Sequence, residues 1–301
     1  MDIPLKHVGT VEFADDRETV KVSCTNGDVL QGSVNLKSII LKTSFDKVSI
    51  SLTNITRIST SAAAVLPGLV LYYSFDSDEG DRVKDTSGNG HEGMVVGARY
   101  TSNGYVGGAC EFDGVGYITV GDIFAPGNLR SNLTVSVWIR TSRYHSPDGS
   151  SGMNPIAKQM DTSPHTGWSL AVDPSNKMLA QIVASYPERV TCYTRSKLCD
   201  DAWHFLCATY EVDDDWLGTA VYVDGKLNNR AISRGTHASP ETSAPLTIGH
   251  TIGQEHLPGV TNFKGLLDEV QIYNRTLSAD EISSLYDKAV SRHEAAGKGS
   301  D

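Results

Sequence analysis

The stretch GLLDEVQIYNRTLSADEISSLY, residues 265–286, begins as an alternating β-strand and places two acids, Asp268 and Glu269, at its head. Counted at period two, Asp268 falls on the same face as Val270 and Ile272, which predicts a carboxylate directed toward the core. A buried charge is costly unless a partner compensates it. The stretch therefore predicts that Asp268 has such a partner.

The second half of the stretch predicts the only good helix of the chain. Ser278 suits the N-cap, and Glu281 stands three residues later, as in a capping box. Apolar residues then recur on one face as far as Tyr286, so the helix is predicted over residues 278–286. Residues 290–301 are polar and are predicted to form a frayed tail.

The rest of the sequence is almost entirely β in character. Residues 1–60 contain five short alternating segments separated by turn signals such as Asn26-Gly27, which predicts a small SH3-like β-barrel. A linker of small residues, 61–67, follows it. Residues 68–289 hold ten or more longer strand candidates, which predicts a two-sheet sandwich.

Composition and charge limit the classes of partner. The chain has 301 residues, 39% hydrophobic and 21% charged, which is typical of a globular protein. Residues 1–64 are electrically neutral, so the net charge of −10 belongs to the remainder. An acidic domain without a basic stripe argues against nucleic acid and anionic membranes as partners. No apolar run is long enough to predict insertion into a bilayer, and residues 1–10 show no signal-peptide pattern.

The five cysteines are too few and too scattered for a disulfide scaffold. Cys110 and Cys207 lie within apolar alternations and are predicted to be buried thiols. Cys192 and Cys199 are closer together and could form a bridge in an oxidising compartment. The sequence leaves that pairing open.

Seven motifs in order carry a resemblance to a known fold. Over residues 68–289 the chain resembles the laminin G-like, concanavalin A-type jelly roll, found in many bacterial secreted proteins. The resemblance implies an extracellular, periplasmic or cell-envelope location. The motifs are GLVLYYSFDSDEGDRVKDTSGNGHEGMVVGA, GGACEFDGVGYITV, LTVSVWIRT, GWSLAVD, DDAWHFLCATYE, AVYVDGKL and the stretch 265–286.

The resemblance also implies a structural Ca²⁺. Members of this fold often hold the ion between an Asp at the start of the last strand and backbone carbonyls at the exit of the first strand. Asp268 matches the first position, Asp76 lies at the second, and Gly108 is a candidate for a further carbonyl. Carboxylate, carbonyl and water oxygens are the ligands that Ca²⁺ prefers. The alternative is a carboxylate bonded only to backbone N–H groups or to Arg or Lys.

Enzyme signatures are missing from the sequence. Glucanases that share this fold carry closely spaced acids, Glu-x-Asp-x-x-Glu, on one concave strand, and no such run occurs here. Asp268 and Glu269 are adjacent, so a regular strand would point them in opposite directions. GNGHEG, residues 88–93, satisfies the GxGxxG pattern but opens no helix, which predicts a bent loop and no dinucleotide site. Catalysis is therefore not expected.

A binding surface is the remaining prediction. Sugars stack on aromatic rings and bond to nearby polar groups, and Tyr144, Tyr186 and Trp216 are the predicted ligand-binding residues. Trp168 and His204 are predicted to be structural. The sequence thus favours a Ca²⁺-stabilised module that recognises a glycan or a protein. A structural protein that packs subunits into a homo-oligomer and a glycoside hydrolase of the same fold are the alternatives.

Overall fold

The chain forms two compact units, Met1–Val65 and Leu66–Asp301. The structure, a computed structural model, describes six strands within the first unit. In the second unit it describes residues 66–123, 132–142, 153–159, 166–185, 188–235, 237–238, 240, 242–250 and 262–297.

The N-terminal unit consists of antiparallel strands, as its alternation predicts. Strands β1, β2, β3 and β6 form a sheet in the order β3-β2-β1-β6, and β4 and β5 form a separate hairpin. Closure of these strands into an SH3-like barrel stays a prediction. The bounds are Val8–Phe13 (β1), Thr19–Cys24 (β2), Val29–Ser33 (β3), Ser38–Lys42 (β4), Lys47–Ser51 (β5) and Arg57–Ser59 (β6).

The larger unit is the predicted two-sheet sandwich. Its strands are Leu69–Tyr73 (β7), Arg82–Val83 (β8), Gly93–Val96 (β9), Arg99–Thr101 (β10), Ala109–Asp113 (β11), Tyr117–Gly121 (β12), Leu133–Arg140 (β13), Met153–Gln159 (β14), Gly167–Val172 (β15), Met178–Ser185 (β16), Glu188–Tyr193 (β17), Trp203–Asp213 (β18), Trp216–Val223 (β19), Lys226–Arg234 (β20), Leu246–Ile248 (β21) and Lys264–Tyr273 (β22). The first sheet has the order β10-β11-β22-β13-β18-β19-β20, with β7 also paired to β22. The second sheet has the order β17-β16-β15-β14-β21-β12-β9-β8.

Two apolar layers cover the two faces of the first sheet. The main core lies between the sheets and includes Trp168 and Tyr210, so the structural role predicted for Trp168 is confirmed. The hydroxyl of Tyr210 donates to the carbonyl of Ser169 at 2.8 Å. A second, smaller layer on the opposite face of the sheet contains Trp138 and the helix residue Ile282. The first sheet is therefore buried on both faces where the helix covers it.

The helix α1 spans Ala279–Gly297 and starts with the predicted capping box. The N–H of Glu281 donates to the Ser278 hydroxyl at 3.2 Å, and the N–H of Ser278 donates to the Glu281 carboxylate at 2.8 Å. The helix continues well beyond Tyr286, so most of the predicted polar tail is helical. Among the residues that the structure describes, no helix is long and apolar enough to cross a bilayer.

The loop around GNGHEG is tied to the first strand by a buried acid. Asp85 accepts the N–H groups of Tyr72, Ser87 and His91 at 2.9–3.0 Å. Burial alone raises the pKa of Asp85, but the hydrogen bond from the Ser87 hydroxyl and these N–H bonds together lower it below its usual value. The motif is the structural loop that the sequence predicts.

The described cysteines are all buried free thiols. Cys110 and Cys207 lie in apolar layers, as predicted. Cys192 and Cys199 both face the main core, and no bridge joins them.

We expect Glu281→Gln to lower the free energy of unfolding by about 1 kcal/mol at pH 7, because glutamine can still close the capping box but loses the ion pair with Arg275 at 2.7 Å. The hydrogen bond from Arg275 contributes most to lowering the pKa of Glu281 from 4.5 to about 2. The stabilisation that the ionised Glu281 contributes to the folded protein is thus fully present above about pH 4.5 and is lost as the pH falls through 2.

Urea denaturation at pH 7 and pH 3 measures this effect, with Asp280→Asn in the same helical turn as the control. The difference between wild type and Glu281→Gln should shrink at pH 3. A difference that grows at the lower pH would contradict the assignment.

Candidate functional site

A β-bulge interrupts β22 at its two acids. Gln271 pairs with Ser136 and Asp268 pairs with Trp138, so β22 has two residues where β13 has one. The bulged residue Glu269 has a φ of +51°, a conformation that residues other than glycine seldom adopt.

The bulge reverses the face to which Asp268 points. Asp268 lies directly opposite Trp138, on the helix side of the first sheet, whereas Val270 and Ile272 lie in the main core. The prediction that all three share a face is therefore wrong, because the extra residue breaks the period of two.

The second acid also lies on the helix side. The Glu269 carboxylate accepts the hydroxyl hydrogen of Tyr72 at 2.9 Å and two bonds from Arg292 of α1 at 2.8 and 2.9 Å. Glu269 is only 5% exposed. The prediction that the adjacent acids face opposite ways is wrong for the same reason. Burial raises the pKa of Glu269, and the charge of Arg292 opposes that rise.

Asp268 has no charged partner of opposite sign in direct contact among the described residues. It is fully buried, and its carboxylate accepts only the N–H of Val106 at 2.9 Å and the N–H of Glu269 at 2.7 Å. Burial raises the pKa of Asp268 to about 8, and the nearby charges of Glu269 and Asp76 add to the rise. Without a further cation, this carboxyl group is mostly protonated at pH 7.

The loop formed by residues 104–108 binds both Asp268 and Asp76. It donates the N–H of Val106 to Asp268, and the N–H of Gly108 to Asp76 at 3.4 Å. A side chain at Gly108 would collide with the Phe75 carbonyl oxygen and with the ring of Tyr100, so this position requires glycine.

Asp76 is the second acid that contacts Arg292, and it lies near Asp268. Its carboxylate lies 3.5 Å from the Arg292 guanidinium, and its charge raises the pKa values of Asp268 and Glu269. Phe75, the residue before it, has a φ of +50°. Strained backbone of this kind concentrates at functional sites.

These residues can bind a Ca²⁺ ion only if backbone carbonyl oxygens supply some of its ligands. A buried carboxylate whose neighbours raise its pKa gains from a cation, and Asp76 offers a second carboxylate close by. No cluster of three or more His, Cys, Asp or Glu side chains placed to hold a metal occurs among the described residues. Carbonyl and water oxygens would have to supply most of the ligands. In the structure Gly108 contributes its N–H, and a role for its carbonyl stays a prediction.

Of the three predicted ligand-binding aromatics, the structure describes Trp216. Trp216 begins β19, is half-buried and packs its ring onto Gly218 on the outer face of the first sheet. Tyr144 and Tyr186 lie outside the described residues.

His204 has the predicted structural environment beside Trp203. Its ring contacts Asp224 at 3.4 Å and Asp200 at 3.2 Å. The hydrogen bond to Asp224 contributes most to raising the pKa of His204, and burial opposes it. These contacts fix the ring between β18 and the turn that follows β19.

Sequence comparison places the chain in a family. Residues 112–283 match the model of the laminin G-type family described as the concanavalin A-like lectin/glucanases superfamily. The chain belongs to this superfamily. Curated proteins give no match to the chain.

Solved structures of toxin binding domains share the fold. The binding domain of Paraclostridial Mosquitocidal Protein 1 is 16% identical, with a TM-score of 0.51 and coverage of 73% of this chain and 52% of that one. The binding domain of botulinum neurotoxin serotype C1 is 14% identical, with a TM-score of 0.53 and coverage of 74% and 52%. That of botulinum neurotoxin DC in complex with rat synaptotagmin II is 15% identical, with a TM-score of 0.52 and the same coverage.

The superfamily member described here thus aligns with about half the length of these toxin domains. At such identities the likeness establishes the fold alone.

We expect Arg292→Met to lower the free energy of unfolding by about 2–3 kcal/mol, because it leaves Glu269 buried without its cation. The double variant Arg292→Met/Glu269→Gln should recover part of the loss, since no buried charge then remains unpaired. Urea denaturation at pH 7 measures both.

Arg82→Met is the matched control, because Arg82 pairs with Glu92 at the surface and both side chains are more than half exposed. An Arg292→Met variant as stable as this control would contradict the role given to Arg292.

Proposed function

We propose that this chain is a non-catalytic recognition module, stabilised by Ca²⁺, that binds carbohydrate or a protein partner. The observation that carries the proposal is the state of the two acids of β22. Both are buried under α1, and one is held by Arg292 and Tyr72.

This state of the acids argues against hydrolysis by this pair. A glycosidase needs two carboxylates roughly 5–10 Å apart that face the substrate across a groove. Asp268 is fully buried and Glu269 almost so, and neither reaches a groove. They are arranged to stabilise the sheet and its helix.

The superfamily supports recognition as the alternative. Its description names both lectins and glucanases, and the similar solved structures are titled as binding domains. One of them is a complex with a protein, rat synaptotagmin II. The net charge of −10 favours partners other than nucleic acid. We place the protein outside the cell or at the cell envelope, the setting that the resemblance to bacterial secreted proteins implies.

The proposed Ca²⁺ would be held by Asp268 and Asp76, with a backbone carbonyl near Gly108 and water. The ion supplies positive charge to a carboxyl group that otherwise stays protonated at neutral pH. Asp76 follows the first strand and Asp268 belongs to the last, so the ion would join the two ends of the sandwich at this point. Arg292 supplies the corresponding charge for Glu269.

A glycan array with and without EDTA, together with thermal melts, tests the proposal. We expect binding of at least one glycan without its hydrolysis. We also expect EDTA to lower the Tm of wild type, since a ligand at 100 times its Kd stabilises by about 2.7 kcal/mol. Asp268→Asn should abolish the response to EDTA, and Asp280→Asn on the exposed helix surface should retain it.

Three results would count against parts of this proposal. Absence of glycan binding with and without Ca²⁺ would contradict the carbohydrate-binding function. A Tm that is the same with EDTA and with Ca²⁺ would contradict the ion site. Release of a shortened glycan would contradict the non-catalytic assignment.

A further inference from the structure

A crevice opens where the two sheets approach each other at the edge strands β10 and β8. The segment of residues 74–80, which follows β7, forms one wall. Val83 and Cys110 close its base, and both belong to the main core. The crevice is therefore concave, with an apolar floor and a polar rim, as small-molecule sites usually are.

An exposed aromatic ring stands in this crevice. Tyr100 pairs with Cys110 across β10 and β11, so its side chain turns toward the space between the sheets. It lies at the sheet edge and stays 40% exposed. Its ring packs on Gly108, where a Cβ would come within 2.6 Å of Cε2. The glycine thus lets the ring lie against the backbone and leaves ring surface accessible to a ligand.

Polar groups of both kinds surround the ring. Asp76 and Asp78 are acceptors, although each already accepts one backbone N–H, from Gly108 and Gly80 respectively. Lys84 offers an ammonium donor with no hydrogen-bond or ion-pair partner among the described residues. The wall also includes Glu79 and Arg82, so charges of opposite sign are interspersed around the crevice.

This mixture favours a neutral ligand rich in hydroxyl groups. Each hydroxyl can donate to a carboxylate or accept from an ammonium group, whereas an anion would meet the acids and a cation would meet Lys84. The apolar face of a sugar ring also matches the exposed surface of a tyrosine. We propose that this crevice binds one neutral hexose unit of a glycan, stacked on Tyr100. The inference rests on the proposed recognition function and assigns it a site.

A second ring offers the natural contrast. Trp216 packs on Gly218 in a similar way, but it lies on the outer face of the first sheet beside the exposed Ile232. Trp216 is not one of the residues that line the crevice. A glycan that used the Trp216 ring would therefore be unaffected by changes at Tyr100.

Saturation-transfer difference NMR with methyl α-D-mannoside, methyl β-D-galactoside, methyl β-D-glucoside and N-acetylglucosamine tests the site. We expect at least one of them to receive saturation from the protein. Tyr100→Ala should weaken its affinity about five-fold, the scale of an aromatic contact, and Tyr100→Phe should retain it. Lys84→Met, a change of an exposed side chain, should weaken it about three-fold. Tyr193→Ala, which removes a ring of similar exposure that does not line the crevice, should leave it unchanged.

The possible failures differ from those of the proposed function. If a sugar binds, and its signal survives both Tyr100→Ala and Lys84→Met or is lost in Tyr193→Ala, the crevice is wrong and recognition stands. If glycans bind on an array but none of the four sugars binds in solution, the single-hexose site is likewise wrong. If nothing binds in either experiment, both proposals fail. Should Tyr100→Ala not fold, Lys84→Met decides the result.

Discussion

The bulge at Glu269 turns the two acids of β22 onto the face that α1 covers. There Val106 donates its N–H to Asp268, and Arg292 and Tyr72 bind Glu269. The position matters because β22 pairs with two different strands along the same edge. Its residues 264–267 pair with β11 and its residues 270–273 pair with β7. The two acids occupy the gap between these partners, where the strand must be supported by side chains.

The helix and the loop of residues 104–108 supply that support together. Tyr105 of the loop stacks on Trp138 of β13 with ring centroids 3.4 Å apart, and on His293 of α1 with centroids 4.5 Å apart. Arg292 is the residue before His293 in the same helix. Docking the helix therefore supplies the charge that neutralises Glu269, whereas Asp268 is left for the proposed ion.

The same arrangement links the proposed ion to the proposed ligand crevice. Asp76 contacts Arg292, accepts the N–H of Gly108 and also lines the crevice. Gly108 in turn underlies the ring of Tyr100. A cation that drew Asp76 toward Asp268 would act on the wall of the crevice within the span of one side chain. If both proposals hold, recognition and stability depend on shared residues, and a reaction centre is not needed to explain the buried acids.

Local patterns in the sequence predicted a two-sheet sandwich with one helix, and the resemblance of seven motifs predicted its concanavalin A-like type. Alternation predicted the strands, and Ser278 with Glu281 predicted the start of the helix, because these signals depend on neighbouring residues alone. The face of Asp268 could not be predicted, since a bulge at a non-glycine residue has no sequence signature. The interaction of Arg292 was missed because the polar end of α1 is stabilised by tertiary contacts. Tyr100 was missed because its exposure results from the meeting of two sheet edges.

Amide hydrogen exchange at Val106 tests the central claim most directly. Val106 lies in a loop outside every strand of the sandwich, and its N–H is protected only if it donates to the buried Asp268. The account predicts that this amide exchanges as slowly as the strand amides of β13 and β22. Exchange at the rate of an exposed loop amide, in protein whose strands remain protected, would contradict it.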